Sequence, residues 1–75
     1  MSVTAAPEVV FSPRILRALR LERGLSQHKL ARASHLSLDT IQAWEQGACE
    51  DPRGASLVRV ARTLKCAVEA LFEER

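Results

Sequence analysis

The sequence predicts a single all-α domain built from five short helices. Three serines, at positions 12, 26 and 37, each precede a segment in which apolar residues recur at helical spacing. A serine in that position accepts a hydrogen bond from a free backbone N–H of the first helical turn. The chain has 75 residues, 47% of them apolar. This apolar content suffices for a single core. The core is thin, because a chain of this length buries only about 60% of the surface that its unfolded form exposes.

The first helix is predicted to begin at Pro13, where the missing N–H of proline costs no hydrogen bond. Its apolar stripe follows the spacing of one helix face and consists of Ile15, Leu16 and Leu19. Gly24 follows the helix, and glycine readily adopts the left-handed conformation that commonly ends helices.

Two further helices are predicted over residues 27–33 and 38–46. Leu30 and Ala31 give the first of them its inward face. Ile41 and Trp44 do the same for the second, which Gly47 ends. The connector has only three residues, so the two helices are neighbours joined by a very short turn.

After a polar loop, a fourth helix is predicted over Ala55–Leu64. A fifth helix is predicted over Ala67–Glu74. The fifth helix lacks a side chain that caps its first turn, and we expect it to be the least stable unless it packs at an interface. Its apolar residues are Val68, Leu71 and Phe72.

Residues 1–11 show no helical period and are predicted to form an N-terminal arm, with residues 12–75 as the domain proper. Pro7 interrupts the arm, and its last three residues, Val9 to Phe11, favour β structure. This apolar end can pack on the domain or on a partner subunit, and a disordered terminus is the alternative.

Charge is distributed unevenly along the chain. Between Ser12 and Leu36 six basic residues accompany Glu22 alone, a net charge of +5, whereas the remaining residues sum to −3. A basic half suits a polyanionic partner on one side of the molecule. A solvated charged face is the simpler alternative.

The residue patterns of enzymes and metal sites are missing from the sequence. Cys49 and Cys66 do not have the spacing of zinc ligands. No nucleophile, base and orienting group are gathered, and no glycine loop could cradle phosphates. We therefore expect no catalysis, metal, cofactor or small-molecule ligand. The sequence also has no apolar run that could span a bilayer and no secretion signal, so a cytoplasmic location is expected.

Two short helices, each preceded by a serine and joined by a three-residue turn, have the geometry of a helix-turn-helix. In such a unit the amino-terminal end of the second helix enters the major groove of DNA. The stretch 16–47 resembles the Cro/C1-type, or XRE-type, helix-turn-helix regulators through its Gly-Leu-Ser-Gln, Leu-Ala, Leu-Ser and Trp-Glu-x-Gly segments. The resemblance extends to about Phe72 and implies a compact five-helix fold like that of lambda repressor.

The resemblance also implies roles for individual residues. Arg20 and Glu45 align with a buried ion pair that ties the first helix to the third. Gln27, Gln46 and Arg53 align with phosphate contacts of the family, and His28, next to Gln27, is also expected to contact a phosphate. The surface that would face the bases consists of Ser37, Leu38, Asp39, Thr40, Gln42 and Ala43.

Two departures from the family pattern carry predictions. His35 stands in the turn where the family prefers glycine, and we expect it to have a positive φ, because histidine is among the residues enriched there. The predicted recognition surface lacks arginine and lysine and carries Asp39. Asp39 can accept a hydrogen bond from cytosine N4, and Leu38 can touch a thymine methyl group. Affinity would then depend on phosphate contacts made elsewhere.

The sequence is thus interpreted as a transcription regulator that binds a palindromic operator on double-stranded DNA as a homodimer. Val68, Leu71 and Phe72 are the predicted dimer surface. A phage-type repressor, a restriction-modification controller and an antitoxin with a toxin partner all fit this class. The alternative from another class is an adaptor that uses the same helices to bind proteins.

Overall fold

The computed structural model describes residues 9–48 and 52–74. The expectations for residues 1–8 and for Cys49 lie outside this described part of the chain. The elements in chain order are β1 (Val9–Phe11), α1 (Pro13–Glu22), α2 (Gln27–Ala33), α3 (Leu38–Gln46), α4 (Gly54–Thr63), a 3-10 helix (Val68–Leu71) and β2 (Phe72–Glu74).

The three serine caps set the starts of α1, α2 and α3 as predicted. In each case the serine Oγ accepts a hydrogen bond from the backbone N–H three residues later, at 3.0–3.1 Å. Helix α4 begins at Gly54 and ends at Thr63, one residue earlier at each end than predicted. No side chain caps it, since Arg53 at its N-cap makes no capping hydrogen bond. None of these helices is long and apolar enough to cross a membrane, as far as the described residues go.

The core lies between the helices and is closed at one end by an aromatic cluster. The ring of Phe11 meets Trp44 edge-on with centroids 5.8 Å apart and meets Phe72 similarly at 5.9 Å. This geometry suits the quadrupoles of aromatic rings. The largest apolar side chains that are fully buried are Leu16, Leu30, Ile41, Val60, Leu64 and Leu71.

The predicted fifth helix is wrong, and with it the expectation of five α-helices. Residues 68–71 form only a single 3-10 turn, and residues 72–74 form β2. Ala67 at the start of the turn offers no capping side chain, so a helix here would carry the full cost of nucleation without compensation. The backbone is satisfied instead by pairing with the residues before α1.

Strands β1 and β2 form an antiparallel two-stranded sheet, which joins Val9 to Glu74 and Phe11 to Phe72. Ser12 N–H extends this pairing by donating to the carbonyl of Leu71 at 2.8 Å. The last three residues of the predicted arm therefore belong to the domain.

Leu71 must also be removed from the predicted dimer surface. Its side chain is fully buried within its own chain, whereas Val68 and Phe72 only pack partly against the core. A residue without exposed surface in the single chain cannot meet a second copy unless the domain rearranges.

The left-handed conformation predicted for His35 is confirmed, with φ at 57°. This allows Leu36 N–H to donate to the carbonyl of Ala31 at 2.8 Å and so end α2. Lys65 has the same left-handed conformation after α4, also with φ at 57°. There Cys66 N–H donates to the carbonyl of Ala61. The second case was not anticipated from the sequence.

His35→Gly is expected to raise the free energy of unfolding by about 0.5–1 kcal/mol. The left-handed conformation costs an L-residue about 1–2 kcal/mol, and part of that gain is lost because glycine gives the unfolded chain more freedom. The exposed side chain of His35 adds little to packing. Urea unfolding measures the difference. His35→Val is the matched opposite, because a β-branched residue is strongly disfavoured at positive φ; a stabilised His35→Val would contradict the argument.

Candidate nucleic-acid interface

Two side chains of α4 form hydrogen bonds with the turn between α2 and α3. Ser34, the last residue before the left-handed His35, is fully buried, and its Oγ donates to Thr63 Oγ1 at 3.1 Å. Arg59 donates its Nε–H to the carbonyl of Ser34 at 2.8 Å. These contacts to both the side chain and the backbone of Ser34 fix the end of α2 relative to α4.

Helix α3 buries one side and leaves the other accessible. Ile41 and Trp44 face the core. The six residues predicted to contact bases all keep some exposure, with Ser37 and Asp39 exposed and the other four half-buried. The part of the chain that the structure describes does not cover this face.

The six residues differ in what they can offer to a ligand. Ser37 Oγ accepts from the backbone N–H of Thr40 and lies 2.8 Å from the Thr40 hydroxyl, so these two hydroxyls are already engaged in capping the helix. Asp39 and Gln42 make no side-chain hydrogen bond within the described ranges. These two supply the available polar groups of the face, beside the apolar Leu38 and Ala43.

A buried network connects α1, α2 and α3 just behind this face. Arg20 donates from Nε and Nη2 to the two carboxylate oxygens of Glu45, at 2.6 and 3.0 Å. Its remaining Nη1 donates to the carbonyl of Leu25 at 2.8 Å. The side chains of Arg20 and Glu45 are only 8% and 3% exposed. This is the ion pair that the family resemblance implied, and its bidentate form is the strong, directional one.

Gln27 is a third member of the network, which the sequence did not indicate. Its Nε2 donates to Glu45 at 3.0 Å, so a single carboxylate orients both the guanidinium of α1 and the amide at the start of α2. Within the part of the chain that the structure describes, the second amide N–H and the carbonyl oxygen of Gln27 make no hydrogen bond. The spacing of 18 residues between Gln27 and Glu45 gives no local signal for such a contact.

The other three predicted phosphate-binding residues lie on the surface of the domain. His28, Gln46 and Arg53 are all exposed. Gln46 stands at the end of α3, directly before Gly47 with φ at 78°. A Cβ at Gly47 would lie 3.9 Å from Cγ of Pro13, so the start of α1 comes close to the end of α3.

Positive charge near the exposed face of α3 comes from the neighbouring helices. Helix α3 contains no arginine or lysine and has an acidic residue in its first turn. Exposed basic side chains are instead found on α1 and α2, at Arg17, Lys29 and Arg32, whereas Arg14 forms an ion pair with Glu73 of β2. A polyanion bound along α3 would therefore meet its counter-charges on the neighbouring helices.

The described residues contain no cluster of side chains that could hold a metal ion. Burial raises the pKa of the Cys66 thiol, and the nearby Arg23 only partly opposes this. The thiolate that metals bind is therefore disfavoured at this position.

An apolar groove lies on the side of the domain formed by the sheet. Val9 is the most exposed large apolar residue of the described chain, at 60%. The groove has a volume of about 430 Å³. Its lining residues are Val9, Val68, Glu69, Phe72, Glu73 and Glu74. Two of the three predicted dimer residues are thus found together, beside a valine that the sequence placed in the arm.

Known proteins resemble the chain in both sequence and fold. A family model described as helix-turn-helix matches residues 16–71. The restriction-modification controller protein C.AhdI from Aeromonas hydrophila is 30% identical and superposes with a TM-score of 0.74, over 80% of this chain and 89% of that one. The P22 c2 repressor protein, solved in complex with a synthetic operator, is 25% identical with a TM-score of 0.74, over 79% of this chain and 88% of that one.

The biofilm regulator SinR, solved in complex with DNA, has a TM-score of 0.77 over 80% of this chain and 98% of its own. Its identity is 22%, so this likeness concerns the fold alone. No curated protein matches the sequence.

Proposed function

This chain belongs to the Cro/C1-type family of helix-turn-helix proteins, and from that premise we propose that it is a transcription regulator that binds double-stranded DNA through the exposed face of α3. The observation that carries the proposal is the uncovered face itself, which a buried network holds rigidly against α1 and α2. A preorganised face of this size suits the major groove, which admits one α-helix.

Base recognition is assigned to the four residues of the face that are not engaged in capping. Asp39 accepts a hydrogen bond from cytosine N4, and Leu38 contacts a thymine methyl group. Gln42 reads adenine where it turns toward the groove, and Ala43 allows the helix backbone to approach closely. Ser37 and Thr40 contribute mainly by fixing the first turn, which is the part of a recognition helix that reaches the bases.

Affinity is assigned to phosphate contacts around the helix, since α3 itself has no cation. Gln27 offers its second amide N–H at the start of α2, next to His28. Gln46, at the end of α3, and the exposed Arg53 are assigned to phosphates at the other end of the face. Contacts of this kind fix the register of the protein on DNA and carry no sequence information.

Titration of the isotopically labelled protein with a DNA duplex, followed by nuclear magnetic resonance, tests the proposal. The backbone amides of residues 27–28 and 37–43 are expected to shift, and the shifts should vanish at high salt, because binding releases counterions. Shifts confined to β1, β2 and α4, or none with any duplex, would contradict it. An adaptor that uses the same face for a protein would give no shifts with DNA.

We further infer that the protein acts as a homodimer on a palindromic operator. One such domain reads only a few base pairs, and two half-sites one helical turn apart give useful specificity. Val68 and Phe72 of the predicted dimer surface line the apolar groove beside Val9, and this groove is where we place the second copy. Small domains gain buried area by such association.

Val9→Asp is expected to shift the protein from dimer to monomer in sedimentation velocity at micromolar concentration. The charge would enter an apolar groove that already carries three glutamates, and desolvating it opposes association. Leu21→Asp is the matched control, because Leu21 is also exposed, at 55%, but lies on α1 outside the groove. A wild-type protein that stays monomeric even on DNA would contradict the dimer.

Within the family, the likeness to C.AhdI favours a restriction-modification controller over a phage-type repressor or an antitoxin. We place the protein in the cytoplasm, where its DNA would be. A toxin that co-purifies with the chain would reassign it to the antitoxins without changing the DNA-binding face.

A further inference from the structure

We propose that Arg17 of α1 binds a backbone phosphate of the DNA, so that the contact surface includes a third helix. The inference rests on the proposed DNA-binding function and identifies a cation that the recognition helix itself lacks. Neither the family resemblance nor the helix-turn-helix motif assigns a role to this residue.

The position of Arg17 follows from the packing of α1 on α3. Arg17 lies one helical turn before Arg20, whose guanidinium is bonded to Glu45 of α3. Arg17 and Glu45 both line an open cavity of about 500 Å³. Pro13 at the start of α1 approaches Gly47 at the end of α3. The first two turns of α1 therefore run beside the end of the recognition helix, where Gln46 is proposed to meet a phosphate.

The charges around the cavity separate Arg17 from its neighbour Arg14. Arg14 already has an anionic partner, since its Nη2 lies 3.2 Å from the carboxylate of Glu73. Glu74 lines the same cavity, so the side formed by β2 repels a phosphate. Arg17 is exposed and makes no hydrogen bond or ion pair within the described residues.

The chemistry of the guanidinium fits a phosphate ligand. Its planar fork donates two parallel hydrogen bonds to phosphate oxygens, as it does to a carboxylate. Arg17 makes no ion pair within the described residues, whereas the glutamates of β2 in the same cavity repel an anion, so we place the phosphate at Arg17. Arg17 thus supplies part of the affinity, and the acidic strand limits how far the DNA contact extends along α1.

The test compares the salt dependence of DNA binding for the wild-type protein, Arg17→Ala and Arg14→Ala. The probe is a fluorescein-labelled duplex of fixed arbitrary sequence, because a phosphate contact is independent of sequence. Binding is measured by fluorescence anisotropy between about 50 and 200 mM salt. For Arg17→Ala the slope of log K against log salt should fall by about 0.9 for each bound protomer. Arg14→Ala should keep the wild-type slope, and Arg17→Lys should restore most of it.

The results distinguish a failure of the role assigned to Arg17 from a failure of the proposed DNA-binding function. If the wild-type protein binds with a steep salt dependence and Arg17→Ala has the same slope, the assignment of Arg17 is overturned while the DNA-binding function stands. An equal loss of slope in Arg14→Ala also overturns the assignment. If the wild-type protein shows no salt-dependent binding to any duplex, the proposed function fails and the inference fails with it. Thermal unfolding of each variant confirms that the exposed substitutions leave the domain folded, and Arg17→Gln replaces Arg17→Ala if that variant does not fold.

Discussion

Arg20→Ala is expected to cost about 3–5 kcal/mol of stability, because it leaves the carboxylate of Glu45 buried and without its counter-charge. Small domains have total stabilities of about 5–15 kcal/mol, so this variant should be largely unfolded or close to it. The side chain of Glu45 is only 3% exposed, so water is a poor substitute for the lost guanidinium. Among the described residues, the Glu45 carboxylate would keep one side-chain hydrogen bond, from the amide of Gln27. This neutral donor does not replace a charged guanidinium that donates twice.

Arg14→Ala provides the matched control, since it breaks the other ion pair that α1 makes with a distant element. There the side chains are 84% and 35% exposed, and exposed pairs contribute about 0–1 kcal/mol. Urea unfolding followed by far-UV circular dichroism compares the two variants directly. If both unfold at the same urea concentration as the wild type, the buried network does not stabilise the domain.

Leu71→Ala is expected to lower the free energy of unfolding by about 2–5 kcal/mol, the range for a leucine that leaves a cavity in a core. Leu71 is fully buried, and its carbonyl accepts the hydrogen bond that joins the end of the chain to Ser12. The loss should be independent of protein concentration, because the contacts are made within one chain. Equilibrium unfolding at two protein concentrations measures it.

Val68→Ala is the control for this prediction. Val68 belongs to the same short turn but lines the apolar groove, so its substitution should cost less stability and act mainly on association. If Leu71→Ala left the monomer stable and only weakened a dimer, the dimer interface predicted from the sequence for this residue would be right and its placement in the core would be wrong.

The parts of the fold that the sequence predicted correctly are those with local signals. Serine caps fixed the starts of α1, α2 and α3, and the periodic apolar residues identified their buried faces. The positive φ of His35 was predicted from the resemblance, because the family prefers glycine at this position of the turn and histidine is among the residues enriched at positive φ. Helix α4 shifted by one residue because no capping side chain marks its start.

The features that the sequence predicted wrongly or did not indicate depend on contacts between residues far apart in the chain. Val68, Leu71 and Phe72 have a spacing that fits one helix face, yet residues 72–74 pair with a strand at residues 9–11, and the carbonyl of Leu71 accepts a hydrogen bond from Ser12. The link from Gln27 to Glu45 and the proximity of Pro13 to Gly47 are likewise set by packing. The candidate site was therefore predicted as a set of residues, while its supporting network and its neighbouring cations emerged only from the three-dimensional arrangement.

Selection of DNA sequences from a pool of random duplexes tests the central claim most directly, because it asks whether the face of α3 reads bases. For the wild-type protein we expect an enriched inverted repeat whose half-sites are about 10–10.5 base pairs apart or a multiple of that. The double variant Asp39→Ala, Gln42→Ala should lose or change this sequence, because base contacts specify while phosphate contacts position. A wild-type pool without enrichment, or the same sequence enriched by the double variant, would contradict the account.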